Sequence, residues 1–118
     1  MLLTAVHWFD NYQTMATESL LAKGQFERIA KALADPRRFG LLESIASDET
    51  YPCQQLCRDF PVSKATISHH LKELIRAGLV DAERQGQYLN YRVRRDVLAA
   101  YGAELLRRTT PTALQSLG

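Results

Sequence analysis

The 118-residue sequence lacks features that would assign it to several other classes of protein. No apolar run approaches the roughly 20 residues that a helix needs to span a bilayer, which excludes a membrane protein. The opening residues have no basic segment, and Asp10 interrupts their only apolar stretch, so they do not form a secretory signal. Cysteine is scarce, with Cys53 and Cys57 alone. We therefore expect a cytoplasmic protein whose thiols are reduced.

Motifs of catalysis are also missing from the sequence. It has no nucleophile elbow, glycine-rich phosphate loop, HExxH motif or pair of CxxC motifs. Two of the three histidines, His69 and His70, are adjacent in one predicted helix, where neighbouring side chains diverge. A chain of this length closes one modest hydrophobic core and has no room for a second catalytic lobe. We predict that the protein is not an enzyme.

Charge is unevenly distributed, although the net charge is only +2. The stretch 58–95 contains eight Lys and Arg residues against four Asp and Glu residues, which leaves +4 there and −2 in the remainder. A surface that faces phosphates needs such an asymmetry. Because most basic faces are merely solvated, the charge has meaning only together with a motif.

Apolar spacing and helix-breaking residues predict four helices in the first two thirds of the chain. Asp35 and Pro36 separate the first two, as an N-cap and a first-turn proline. The third stops before Pro61, since a residue that precedes proline disfavours helix. The fourth begins after Ser63, a strong N-cap, and closes at Gly78. The predicted ranges are about 18–34, 36–46, 52–59 and 64–77.

The fourth predicted helix has two unlike faces. One carries an apolar stripe formed by Ile67, Leu71, Leu74 and Ile75, which suits a core. The opposite face is short, polar and partly basic, and it is formed by Lys64, Ala65, Ser68, His69 and Lys72.

Beyond Gly78 the periodicity changes to that of strands. Residues 79–84 and 88–93 flank Gln85-Gly86-Gln87 and predict a β-hairpin. A last helix, about 96–108, has a broad apolar face. The predicted fold is mainly α with a two-stranded hairpin, in the order α-α-α-α-β-β-α. We divide the chain into an extension (1–17), one folded domain (18–108) and a loose tail (109–118).

Two short helices joined by a tight turn can place the second helix in the major groove of B-DNA. Residues near its N-terminus then reach base edges, while the positive end of the helix dipole meets phosphates. The hairpin that follows brings its tip towards the DNA backbone or the minor groove. The residues in these positions are Lys64, Thr66, Ser68, His69, Arg84 and Gln87.

Three segments, ALADPRRFGLLESI, VSKATISHHLKELIRAGLV and RQGQYLNYRV, closely resemble the ArsR/SmtB family of bacterial winged helix-turn-helix transcription factors. The resemblance covers most of the chain, from about Ile29 to Leu106. It implies a homodimer formed mainly by the first and last helices, which binds an inverted repeat at a promoter and usually represses until an inducer releases it. By position, it places on the DNA-facing helix and wing Ser63, Lys64, Thr66, Ser68, His69, Lys72, Arg84 and Gln87.

Each of these side chains also has a purely structural interpretation. Ser63 caps its helix with or without DNA, and Thr66 can hydrogen-bond within its own helix. Arg84 can be a solubilising charge. His69 points away from the core, whereas His70 lies beside apolar residues and is expected to be buried and hydrogen-bonded. We interpret three tyrosines as packing and dimer residues rather than base-stacking platforms: Tyr88, Tyr91 and Tyr101.

The two cysteines are four residues apart on a predicted helix, so both sulfurs share a face. Such thiolates bind soft metals or metalloids, or become oxidised. The CxC cluster of metalloid-binding family members is absent, and although Cys57 matches one of its thiols, Cys53 is offset. Two thiols under-coordinate a tetrahedral metal unless His7, the partner chain or water completes the set. The family's zinc site on the last helix is missing too, since Asp96 and Glu104 have no histidine beside them. We expect no cofactor and interpret both cysteines as small buried hydrophobic residues. The alternative is that they sense a metalloid or the thiol redox state.

A winged helix that binds only protein is the other functional alternative, because fold does not fix function. A protein-docking version should present apolar residues on the exposed face of the fourth helix. This sequence places Lys64, Ser68, His69 and Lys72 there, which favours DNA.

Overall fold

A computed structural model describes residues 21–111 of the chain. The helices and strands of this part follow the predicted order, with one short strand added. They are α1 (Gln25–Ala34), α2 (Pro36–Ala46), β1 (Tyr51–Pro52), α3 (Cys53–Asp59), α4 (Lys64–Arg76), β2 (Val80–Gln85), β3 (Tyr88–Val93) and α5 (Arg95–Thr109).

The chain divides into two compact units. One consists of residues 27–95, and the other combines residues 21–26 and 96–111 of the described part. The predicted extension, 1–17, lies outside the described residues, as do residues 112–118 of the predicted tail. The last helix continues one residue beyond its predicted end, to Thr109.

The first helix begins later than predicted. Residues 21–24 are not helical, and residues 18–20 lie outside the described part. Gly24 has φ +78°, in the left-handed region, which a right-handed helix cannot include. The amide of Gln25 donates to the carbonyl oxygen of Ala22 (3.0 Å), and the amide of Ala22 donates to Oε1 of Gln25 (2.8 Å). This local turn delays the helix until Gln25.

The second helix confirms its predicted capping. Oδ1 of Asp35 accepts from the backbone amides of Arg37 (2.9 Å) and Arg38 (3.3 Å), and Pro36 occupies the first turn. These amide bonds, that of Arg38 foremost, lower the pKa of Asp35. The side chain of Phe39, in the same helix, is 43% exposed. It lies two positions before Leu41, which turns it to the opposite side of the helix.

The sheet has three antiparallel strands in the order β1-β3-β2, and not the two that were predicted. Tyr51 of β1 pairs with Tyr91, and Pro52 pairs with Asn90. A strand of two residues has no readable periodicity, and proline is tolerated here because β1 is an edge strand. The hairpin of β2 and β3 is present as predicted, but its first strand spans Val80–Gln85 instead of 79–84, because Gln85 pairs with Tyr88. The turn therefore consists of Gly86, whose φ is +64°, and Gln87.

The core of the 27–95 unit joins helices and sheet. Helix α2 packs on β3 and on α4, α4 packs on β2, and α3 packs on β1 and β3. At an apolar transfer free energy of about 25 cal/mol per Å², such burial is what holds α4 against the sheet. The side chains that are fully buried include Ile29, Ile45, Leu56, Leu74, Leu79 and Val80.

Candidate nucleic-acid interface

Helix α4 is fixed at both ends by local hydrogen bonds. Oγ of Ser63 accepts from the amide of Thr66 (3.2 Å), which confirms the predicted N-cap, and it lies 2.9 Å from Oγ1 of Thr66. At the other end Gly78 has φ +80°. The amide of Leu79 donates to the carbonyl of Leu74 (3.0 Å) and that of Gly78 to Ile75 (2.9 Å), which is a Schellman motif.

The two predicted faces of α4 are present, with one exception. Ile67, His70, Leu71 and Leu74 are buried. Ile75 was predicted to join them, but it is 39% exposed. It lies three residues beyond Lys72 and therefore on the border between the buried and the exposed face. The exposed face is formed by Lys64, Ala65, Ser68, His69 and Lys72, as predicted.

The paired histidines diverge as expected. His69 is exposed, whereas His70 is 8% exposed and accepts at Nδ1 a hydrogen bond from Nε of Arg38 (3.4 Å). Burial lowers the pKa of His70, with a smaller opposing effect of the Asp35 carboxylate. A neutral His70 therefore connects α4 to the N-terminus of α2.

Sequence reasoning missed two polar residues of α3 that border the same surface. Gln54 and Arg58 are exposed, and with Lys64 they line an open groove between α3 and α4. The hydroxyl of Tyr51 donates to Oδ2 of Asp59, which ties the end of α3 to β1. In helix-turn-helix proteins the first helix crosses the DNA backbone, so an exposed Arg58 suits a phosphate. The available signal in the sequence was that Arg58 belongs to the basic stretch 58–95.

The hairpin presents Arg84 and Gln87 at its exposed end, next to the turn. Arg84 pairs in register with Leu89, and Ala82 with Tyr91, so these four side chains share one face of the hairpin. Tyr88 lies on the other face.

The three tyrosines have different environments. Tyr88 is 56% exposed and does not pack in the core, so for this residue only the dimer role stays a prediction. Tyr91 is buried, and the ring of Tyr101 packs against that of Phe26, with centroids 5.1 Å apart and planes tilted by 35°.

Some of the cations near this surface form ion pairs with carboxylates, and others do not. Asp81 pairs with Arg94 (3.6 Å) and Arg92 (4.0 Å). Within residues 21–111, Lys64, Lys72 and Arg84 form no ion pair. These three exposed charges remain available for phosphate groups.

The cysteines lie beside α4 as free thiols. Both are half-buried, and the hydroxyl of Tyr91 donates to Sγ of Cys53 (3.7 Å). Burial, followed by the neighbouring Cys53, raises the pKa of Cys57, which keeps that thiol protonated at neutral pH. Among the residues that the structure describes, no three His, Cys, Asp or Glu side chains are placed to hold a metal ion. His7 lies outside them.

The buried carboxylate of the last helix forms ion pairs within that helix. Glu104 accepts from Arg107 (2.9 Å) and Arg108 (2.8 Å), which lower its pKa to about 2. The Arg108 guanidinium also lies 4.1 Å from the centre of the Phe26 ring. None of the described helices has the length and apolar character required to traverse a lipid bilayer.

Comparisons with known proteins agree with this geometry. Residues 33–83 match a family described as a helix-turn-helix domain. The arsenical resistance operon repressor of Staphylococcus xylosus is 31% identical over 74 residues, which are 63% of this chain and 70% of that protein. The ArsR-like transcriptional regulator from Rhodococcus sp. RHA1 has a similar structure, with a TM-score of 0.69, 25% identity, and coverage of 80% of this chain and 88% of that one.

A third relative is described as the homodimeric winged helix-turn-helix DNA-binding domain of a possible ArsR-family regulator from Mycobacterium bovis. It matches with a TM-score of 0.59 and 28% identity over 71% of this chain and 78% of that one. Fold and exposed helix together define a winged helix-turn-helix DNA-binding protein. The chain belongs to the ArsR family of transcriptional regulators, which is not a family of enzymes.

Proposed function

We propose that the protein binds an inverted-repeat promoter site as a homodimer, represses transcription there, and dissociates when an inducer binds. The observation that carries this proposal is the exposed face of α4, which is polar and includes Lys64 and Lys72. Together with Arg84 of the hairpin, these lysines form no ion pair among the described residues. The DNA-binding residues proposed are Ser63, Lys64, Thr66, Ser68, His69, Lys72, Arg84 and Gln87.

Their roles follow from position and chemistry. Lys64 and Lys72 are two turns apart on one side of α4 and would contact phosphates, as would the N-terminal hydroxyl pair of Ser63 and Thr66. Ser68 and His69 lie between them and would reach base edges in the major groove.

The hairpin and α3 would extend the contact on either side of α4. Arg84 and Gln87, at the exposed end of the hairpin, would reach the backbone or the minor groove. Arg58 and Gln54 of α3 would add backbone contacts.

Dimerisation through the first and last helices is supported by the exposed apolar residues of α5. Leu105 is 42% and Leu106 47% exposed, on a helix whose buried residues are Ala100 and Glu104. Leucines at such exposure on one helix suit a second copy of the chain. The Mycobacterium bovis relative is described as homodimeric. A dimer would read two half-sites one helical turn of DNA apart, in the cytoplasm where bacterial DNA lies.

Metalloid or thiol-redox sensing is the second candidate for the signal. Cys53 and Cys57 lie together beside α4, and a relative is named for arsenical resistance. The raised pKa of Cys57 disfavours a reactive thiolate. Thiol titration with and without arsenite tests this candidate. Protection of both thiols would support it, and unchanged reactivity would end it.

The proposal is tested by selecting bound sequences from random duplex DNA and measuring affinity for the selected site against salt. Lys64→Ala should weaken binding to all sequences and flatten the slope of log K against log salt by about 2 per dimer. His69→Ala should cost selectivity more than affinity. Arg37→Ala, an exposed cation on α2 that belongs to neither the DNA-facing surface nor the proposed dimer interface, is the matched control. Parental binding by both variants, or enrichment of no sequence, would show that the exposed face of α4 does not bind DNA.

A further inference from the structure

A second groove runs along α4 on the side of the hairpin. We call it the α4–hairpin groove. Its volume is about 350 Å³, at the lower end of the range of small-molecule sites. Ile67, Leu71 and Ile75 form one wall, and Ala82, Leu89 and Tyr91 form the other. The first three recur at four-residue steps of one helix, and the last three share a hairpin face through the Ala82–Tyr91 register.

The walls are apolar but not closed over. Ile75 is 39% exposed, Ala82 is exposed and Leu89 is half-buried. These side chains therefore leave apolar surface in water between two rigid elements. Covering it would gain free energy from the hydrophobic effect.

The rim of the groove is positively charged. Lys64 and Lys72 line it two helical turns apart, and none of its described lining residues is acidic. Neither lysine has an ion pair within residues 21–111. Arg84 shares the hairpin face of Leu89, towards the end of the groove. Apolar walls with a positively charged rim are complementary to a molecule that has an apolar body and one negative group.

We infer that the α4–hairpin groove binds an amphiphilic carboxylate, with an aliphatic or aryl body against Ile75 and Leu89 and its carboxylate against Lys64 or Lys72. The inference rests on the proposed function in one respect. Both lysines are proposed phosphate contacts, so ligand and DNA would compete for the same charges. By linkage, the ligand would lower DNA affinity by the same factor by which DNA lowers ligand affinity.

Decanoate is the probe, with decanol as its uncharged counterpart. Methyl NMR of the full chain should show shifts at Ile75 and Leu89 on titration with decanoate. By calorimetry, Ile75→Gln and Leu89→Gln should each weaken decanoate binding by about ten-fold, because each removes apolar contact. Phe39→Gln is the matched control, since Phe39 has a similar exposure (43%) and does not line the groove. The double variant Lys64→Gln/Lys72→Gln should remove the preference for decanoate over decanol.

The inference fails if decanoate causes no shifts, if the shifts fall on other methyls such as those of Leu105 and Leu106, or if Phe39→Gln weakens binding as much as Ile75→Gln. Equal affinity for decanol and decanoate would also overturn it, since the lysines would then have no part. These measurements contain no DNA. Groove binding without any selected DNA sequence would contradict the proposed function alone, and DNA binding without groove binding would contradict this inference alone.

Discussion

Single polar side chains around α4 have roles in the fold, and chosen substitutions separate these roles from the proposed DNA contacts. Ser63 caps the helix, and its hydroxyl lies 2.9 Å from that of Thr66 at the same helix end. His70 is buried in the contact with Arg38, whereas its neighbour His69 is exposed. The structural interpretations of Ser63 and Thr66 are therefore both present in the fold, and a DNA role is additional to them.

Ser63→Ala should lower the free energy of unfolding by about 1 kcal/mol, because the amide of Thr66 loses its acceptor. Ser63→Asp keeps an acceptor and suits the positive end of the helix, so its stability should equal that of the parent. Its negative charge should nevertheless weaken DNA binding about ten-fold through repulsion of a phosphate. Urea unfolding and DNA titration measure the two effects. Undiminished DNA affinity of Ser63→Asp would place Ser63 away from any phosphate.

Stability should decrease as the pH falls below about 6.5, because burial lowers the pKa of His70 in the folded protein from its ordinary value of 6.5. Between the lowered pKa and 6.5 the unfolded chain binds more protons than the folded one, so the free energy of unfolding rises with pH in that interval. Asp35 opposes the shift, while Arg38, His69 and Arg37 reinforce it.

Urea unfolding between pH 5 and pH 7.5 measures this dependence. His70→Gln keeps an acceptor for Arg38 and should flatten the dependence, whereas His69→Gln, on the exposed side, should preserve it. A His70→Gln protein with the parental pH profile would assign the dependence to other groups.

At the level of elements, the sequence predicts what local chemistry determines. Asp35 and Ser63 begin helices and Gly78 follows the end of one, in each case through bonds within a few residues, so their roles can be recognised without a structure. Strand β1 could not be recognised, since two residues become a strand only through pairing with β3. The exposure of Phe39 likewise depends on which side of its helix meets the rest of the fold.

The same division applies to the candidate interface. The residues of α4 and the hairpin follow from periodicity, a cap and a turn. Gln54 and Arg58 were missed because the approach of α3 to α4 brings them to the surface of Lys64. The α4–hairpin groove was missed because it needs Ile75 at the edge of its helix and a register that turns Leu89 and Ala82 towards it.

The hairpin turn offers a test of the wing as an element. Gly86 has φ +64°, and a Cβ there would meet no atom within 4 Å. Gly86→Val should therefore destabilise only through backbone strain, by about 1–2 kcal/mol, and Gly86→Asn should cost less because asparagine tolerates this conformation. Gly40→Ala, in α2 and equally open, should be neutral or stabilising by up to about 1 kcal/mol.

Urea unfolding measures these changes, and hairpin amide shifts locate them. If the wing carries DNA contacts, Gly86→Val should also weaken DNA binding while Gly40→Ala leaves it unchanged. Stability of both Gly86 variants equal to that of the parent would contradict the predicted backbone strain.

For the whole molecule, the decisive question is how many copies of α4 meet one DNA site. A single recognition helix makes few base contacts, and two copies held one turn of DNA apart double both the contacts and the salt dependence. The exposed leucines of α5 are the residues on which this doubling is proposed to depend.

The double variant Leu105→Glu/Leu106→Glu should sediment at the mass of one chain where the parent sediments at two, because four carboxylates would be buried in a symmetric interface. Phe39→Glu is the control of similar exposure on another helix, and it should remain dimeric. Circular dichroism should show that the double variant keeps its helices. Its DNA affinity should fall by roughly 100-fold or more, because the contacts to one half-site are lost. The slope of log K against log salt should fall to about half of the parental value. A monomeric parent, or a double variant that stays dimeric and binds DNA as the parent does, would move the dimer interface away from α5.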